Sequence, residues 1–87
     1  MNSPQNEVAT EKEQLNELLN VLLEGFCPAE NAGESDRELT SPELQINLLA
    51  HSGIEFTLQQ INDSMKQRAY KLKASTAMEL EWMLKRL

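Results

Sequence analysis

Tyr70-Lys71-Leu72-Lys73-Ala74 and Glu79-Leu80-Glu81-Trp82-Met83-Leu84-Lys85 each alternate apolar and polar residues. Two alternating runs across a short connection predict a β-hairpin, because successive side chains of a strand point to opposite faces. The same residues carry a competing signal. Thr76 and Glu79 have the spacing of a helix capping box, and Ala77, Leu80, Leu84 and Leu87 fit one helical face. The connection Ser75-Thr76-Ala77-Met78 has no Gly, Asn or Asp to make a tight turn. Local evidence alone favours a helix over 76–87, and the domain is then all-α with four helices. A hairpin over 70–87 gives instead a mainly α, α+β domain of three helices with a C-terminal wing.

The three upstream helices are read with less conflict. Thr57 and Gln60 form a capping box, and Phe56 and Ile61 are placed as a hydrophobic staple around it. Leu58, Ile61, Met65 and Ala69 then share one face, which predicts a helix over about 58–69. Before it, Thr40-Ser41-Pro42-Glu43 combines a Thr cap, a first-turn proline and a Glu three residues after the cap. Leu44, Leu48 and Leu49 continue that stripe with Ile46 on its flank, and Gly53 closes a helix of about 42–52. The short gap between these two helices makes them a helix-turn-helix candidate. Thr10 and Glu13 suggest another capping box, followed by Leu15, Leu18, Leu19, Leu22 and Phe26 at helical spacing. That predicts a helix over about 11–25, closed by Gly25 and Pro28. Residues 1–9 read as a disordered lead-in, and 10–87 as one small domain. Residues 28–40 are polar, without period, and read as a long loop or linker.

Composition works mainly by exclusion. The chain has 87 residues, 40% hydrophobic and 25% charged, which suits one small globular domain. No apolar stretch reaches the roughly 18 residues of a membrane helix, and no basic-then-apolar leader opens the chain. With one cysteine there is no internal disulfide, and the expectation is a cytoplasmic protein that does not meet a membrane. No phosphate-binding glycine loop, nucleophile elbow or zinc-helix motif is present, so neither an enzyme, a cofactor nor a small-molecule substrate is expected.

Charge is the positive signal. The net charge is −6, from 14 acids and 8 bases. Residues 1–57 hold Lys12 and Arg37 as their only bases, whereas 58–87 hold Lys66, Arg68, Lys71, Lys73, Lys85 and Arg86 against three acids. Such asymmetry points to a face that meets an acidic partner.

The order of helices, short turn and alternating basic tail resembles a winged helix. More narrowly, residues 38–87 resemble the small C-terminal domain of virulence-associated-E-type helicase-primases of mobile elements. The residues that carry this are Leu39 to Glu43, Thr57 to Ile61, Met65 to Leu72 and Trp82 to Arg86. The resemblance implies a wing rather than a terminal helix, and a regulatory or replication role in a mobile element. Such domains commonly place a glycine before the first wing strand, where this chain has Ala69. No helicase core is present, so no ATPase or primase activity is implied.

A nucleic-acid interface is then expected on the second helix of the pair and on the wing. Gln59, Asn62, Lys66 and Gln67 would face base edges, since Asn and Gln can pair with adenine and Lys can donate to guanine. Lys71, Lys73, Lys85 and Arg86 would neutralise phosphates, while Asp63 would repel them. The competing expectation is a protein-interaction or self-associating domain without nucleic-acid binding. A third is an acidic decoy, which would need its acids along one surface. His51 reads as a helix-end residue, Cys27 as a small buried hydrophobe and Trp82 as core.

Overall fold

In the computed structural model, residues 4–87 are described, with side chains from residue 11 onward. The chain runs α1 (Pro4–Leu22), β1 (Phe26–Pro28), a single 3-10 turn (Ala32–Glu34), β2 (Arg37–Thr40), α2 (Ser41–Ser52), α3 (Leu58–Gln67), β3 (Leu72–Ala74) and β4 (Leu80–Arg86). It is a small α+β domain of three helices and a four-stranded antiparallel sheet.

α1 starts at Pro4, so Thr10 lies inside the helix and does not cap it. Residues 4–9 are therefore helical rather than a disordered lead-in, and residues 1–3 lie outside the described residues. Proline suits a first turn, where its missing N–H needs no partner. Leu15, Leu19 and Leu23 fall one turn apart and are buried, with Leu18, Leu22 and Phe26 packed beside them. The helix ends three residues before the expected boundary, and Gly25 then takes φ +85°, a left-handed conformation that glycine adopts without steric cost.

α2 and α3 begin where their caps predict. Thr40 Oγ1 accepts from the Glu43 N–H, and Glu43 Oε1 accepts from the Thr40 N–H. Thr57 and Gln60 repeat the arrangement. Each box satisfies two backbone donors that the helix itself leaves unpaired. Phe56 and Ile61 are both fully buried, as a staple requires. Gly53 at φ +73° closes α2, and its N–H donates to the Leu49 carbonyl. α3 stops at Gln67, two residues early, and Ala69 sits at φ +68°.

The C-terminal residues are strands, which overturns the four-helix alternative. Leu72 pairs with Trp82, Lys73 with Glu81 and Ala74 with Leu80. The turn closes through Ser75 N–H to the Glu79 carbonyl and Glu79 N–H to Ser75 Oγ, with Met78 at φ +61°. Thr76 therefore caps no helix. β4 is the central strand, with β2 along one edge and β1 and β3 in series along the other. A helix over 76–87 would leave all three of those strands without a partner, an expensive loss of backbone hydrogen bonds.

The expected 28–40 linker is also corrected. It contains the last residue of β1, the 3-10 turn and the whole of β2. Leu39 pairs with Trp82 and Pro28 with Leu84, across more than forty residues of sequence. Alternation along β4 sends Trp82 and Leu84 into the core with Leu39, Leu44, Leu48, Ile61 and Met65. Met83 is buried too, but on the opposite side of the sheet, outside that main cluster.

Candidate interaction surface

The eight residues expected at a nucleic-acid interface do not converge. Gln59 and Lys66 are exposed and lie on the outward side of α3. Gln67 lines a groove between α1 and α3, with Gln60 and Asp63. Gln60 Nε2 donates to Glu11 Oε1 across that groove at 3.0 Å. Asn62 points the other way: its Oδ1 accepts from Ser41 Oγ, which in turn accepts from Trp82 Nε1 at 2.9 Å. This relay joins α3, the start of α2 and β4. It also occupies the acceptor that a two-point contact with adenine would use.

The hairpin cations sit on the outer face of the sheet. Lys73 and Lys85 alternate with the core-facing Leu72, Trp82 and Leu84. Each hairpin lysine meets a glutamate from the segment after β1. Lys71 Nζ lies 2.7 Å from Glu30 Oε2, Lys73 Nζ 3.5 Å from Glu38 Oε1 and Lys85 Nζ 3.8 Å from Glu34 Oε1. The Lys71 hydrogen bond, then its charge, holds the Glu30 carboxyl below its ordinary value. Asp36 adds a further acceptor, taking the Arg86 backbone N–H at 2.8 Å. The charge asymmetry of the sequence thus folds back on itself. Three of the 14 acids, Glu30, Glu34 and Glu38, lie against the chain's own lysines. Arg68 is also committed internally, donating from Nη2 to the Asn16 carbonyl at 2.8 Å. Among the described residues, Lys66 and Arg86 make no ion pair.

Sequence reasoning missed the apolar surface. α2 buries Leu44 and Leu48, yet Ile46 is 67% exposed and Leu49 40% exposed. Pro42, Ile46 and Leu49 are spaced i, i+4, i+7, so they form a second stripe opposite the core stripe. The helical wheel alone could have shown this. Pro42 also lines a cleft of about 570 Å³ between the start of α2, α3 and the hairpin. Leu72 and Leu80 form its hairpin wall, and Leu80 is 60% exposed. Glu43 and Glu79 are the charged side chains lining it. Met78 at the hairpin tip is exposed as well.

The remaining sequence candidates resolve locally. Trp82 is core, as expected. His51 is exposed in the last turn of α2, near the helix carbonyl end. Cys27 is half-buried in β1 with a free thiol. Burial raises the Tyr70 phenol above its ordinary value; the nearby Cys27 adds to this and the Arg68 charge opposes it. Among the described residues, no three His, Cys, Asp or Glu side chains converge to hold a metal ion. Nor is any described helix long and apolar enough to cross a membrane. Comparison with protein families, curated proteins and solved structures gives no significant match, so what this surface can bind has to follow from its own chemistry.

Proposed function

We propose that the chain is a protein-interaction domain on a winged-helix plan, and that its binding face is apolar rather than cationic. The observation that carries this is the outward stripe of α2, with Ile46 and Leu49 exposed beside a cleft walled by Leu72 and Leu80. A helix that is apolar on both faces leaves one face unburied, and contiguous exposed apolar surface marks contact sites. The ion pairs of Lys71, Lys73 and Lys85 support the same reading, because those charges already have partners. The winged-helix plan is supported by helix–strand order and by β4 lying between β2 and β3. Ala69 at φ +68° supports it too, taking the conformation that the glycine of such domains would take. The mobile-element setting rests on the resemblance alone, and the cytoplasmic location on the sequence reading alone.

A second reading keeps the nucleic-acid interface, favoured by the exposure of Gln59 and Lys66 on α3 and of Arg86 at the end of β4. The two separate in a gel-shift titration on duplex DNA at low salt. The wild-type chain is expected to give no salt-dependent complex at tens of micromolar, roughly the range of ordinary non-specific binding. The triple variant Glu30→Gln/Glu34→Gln/Glu38→Gln, with its lysines released, is expected to gain one. A salt-dependent complex from the wild type would move the proposal to nucleic acid.

A further inference from the structure

We infer that the cleft between the hairpin and α2 receives an amphipathic helical segment of a partner protein, one that carries Lys or Arg beside its apolar anchors. This rests on the protein-interaction reading and names the partner's chemistry. Three features set that chemistry.

Pro42, Leu72 and Leu80 give the cleft its apolar surface, among Thr40, Ser41 and Asn62. Pro42 belongs to both the cleft and the α2 stripe, so the stripe continues from the cleft along Ile46 and Leu49. An apolar stripe beside a groove fits a helix that offers anchors at i, i+4 and i+7. The rim is acidic. Glu43, whose Oε1 also accepts from the Thr40 N–H, and Glu79 line the cleft, and among the described residues no Lys, Arg or His lines it. A cation beside the anchors would meet these carboxylates, whereas an acidic segment or a phosphate backbone would be repelled.

The chain's own cations are poor candidates for the same place. Lys71, Lys73 and Lys85 are paired, and Lys73 and Lys85 lie on the far face of the sheet. A twofold contact between two copies through this patch would bring the Glu43 and Glu79 of one copy toward those of the other. Charge therefore disfavours a second copy and favours a cationic partner.

The test uses two synthetic peptides of about 20 residues, each closed by an i,i+4 side-chain staple on its solvent face so that it is helical before it binds. Both carry the same leucine stripe; one has lysines at the remaining positions and the other glutamates. Each is titrated into the full ¹⁵N-labelled chain. The lysine peptide should shift amides of residues 42–49 and 72–80, and bind at least about tenfold more tightly than the glutamate peptide. Leu80→Ser and Ile46→Ser should each weaken it about tenfold. Both sites are already exposed, so the fold should survive. Glu79→Lys should shrink the preference between the peptides. Equal binding of both peptides at the same amides overturns the cationic class while leaving the interaction reading intact. Shifts elsewhere, no shift from either peptide, or self-association through residues 42–49 at micromolar concentration overturns the proposal. Shifts of Gln59 and Lys66 with duplex DNA, and none with peptides, overturn both.

Discussion

The two faces of the terminal sheet are made from the same few residues, one parity apart, and they do different work. The inner face holds Leu39, Trp82 and Leu84, all buried against the helices. The outer face holds Lys73, Lys85 and the glutamates that meet them, about half to two-thirds buried. Burying an apolar side chain contributes about 1.5–3 kcal/mol. A partly exposed ion pair contributes under about 1 kcal/mol, because water screens it and two long side chains lose freedom. The inner face therefore carries the stability. The outer face decides which charges remain available to another molecule.

The largest expected effect lies on the inner face. Trp82→Ala should cost about 3–5 kcal/mol, since it empties a full aromatic site beside Leu44 and Leu48. Trp82→Phe keeps most of that volume but loses three ring atoms, among them the indole nitrogen whose N–H Ser41 Oγ accepts. It should cost about 1–3 kcal/mol, from the lost hydrogen bond and the small cavity together. Urea unfolding of both variants checks this, with Lys73→Gln as the outer-face control at under about 1 kcal/mol. A Lys73→Gln loss as large as that of Trp82→Phe would break the contrast between the faces.

Which face turns inward is decided where α3 hands over to β3, and the next effect lies there. Ala69 at φ +68° is strained by roughly 1–2 kcal/mol, as any residue with a Cβ is in that region. Ala69→Gly should relieve that strain and lose about 0.4–1 kcal/mol of it to the greater freedom of the unfolded chain. The net expectation is a gain of up to about 1.5 kcal/mol, or several degrees in Tm for a domain of this size. Calorimetry reads it directly, and a lower Tm would mean that the handover is not strained.

The same contrast explains what could be read from the chain. α2 and α3 were legible because their starts are local chemistry: Thr40 with Glu43, and Thr57 with Gln60, each span four residues. The start of α1 was misread because Thr10 and Glu13 have that spacing inside a run of helix formers that continues to Pro4. The hairpin was legible only with the help of resemblance, since its turn has no glycine and Met78 adopts the left-handed region unassisted. β1 and β2 were not legible at all. Three or four residues carry too little periodicity, and their reason for being extended is β4, more than forty residues away. The surroundings of the expected site were hidden for the same reason. The six bases of the last third are visible in the sequence, but Glu30, Glu34 and Glu38 reach three of them only once β1 and β2 have formed.

The smallest expected effect is the one that solution conditions can switch off. The Lys71 hydrogen bond and charge hold Glu30 below its ordinary value of 4.5. The unfolded chain then binds more protons than the folded chain between those two values. The pair's contribution is therefore present above the unfolded value and is lost as pH falls through the folded one. Wild type and Glu30→Gln should differ slightly in urea midpoint at about pH 7 and converge as pH falls through the folded-state value of Glu30. Salt should narrow the neutral-pH difference as well, because the pair is exposed. Trp82→Phe provides the paired control. Its lost hydrogen bond involves no titrating group, so its deficit should persist across that range. If the Glu30→Gln difference persisted at acid pH too, Glu30 would be acting through packing or backbone contact, and the outer face could no longer be described as a set of screened charges.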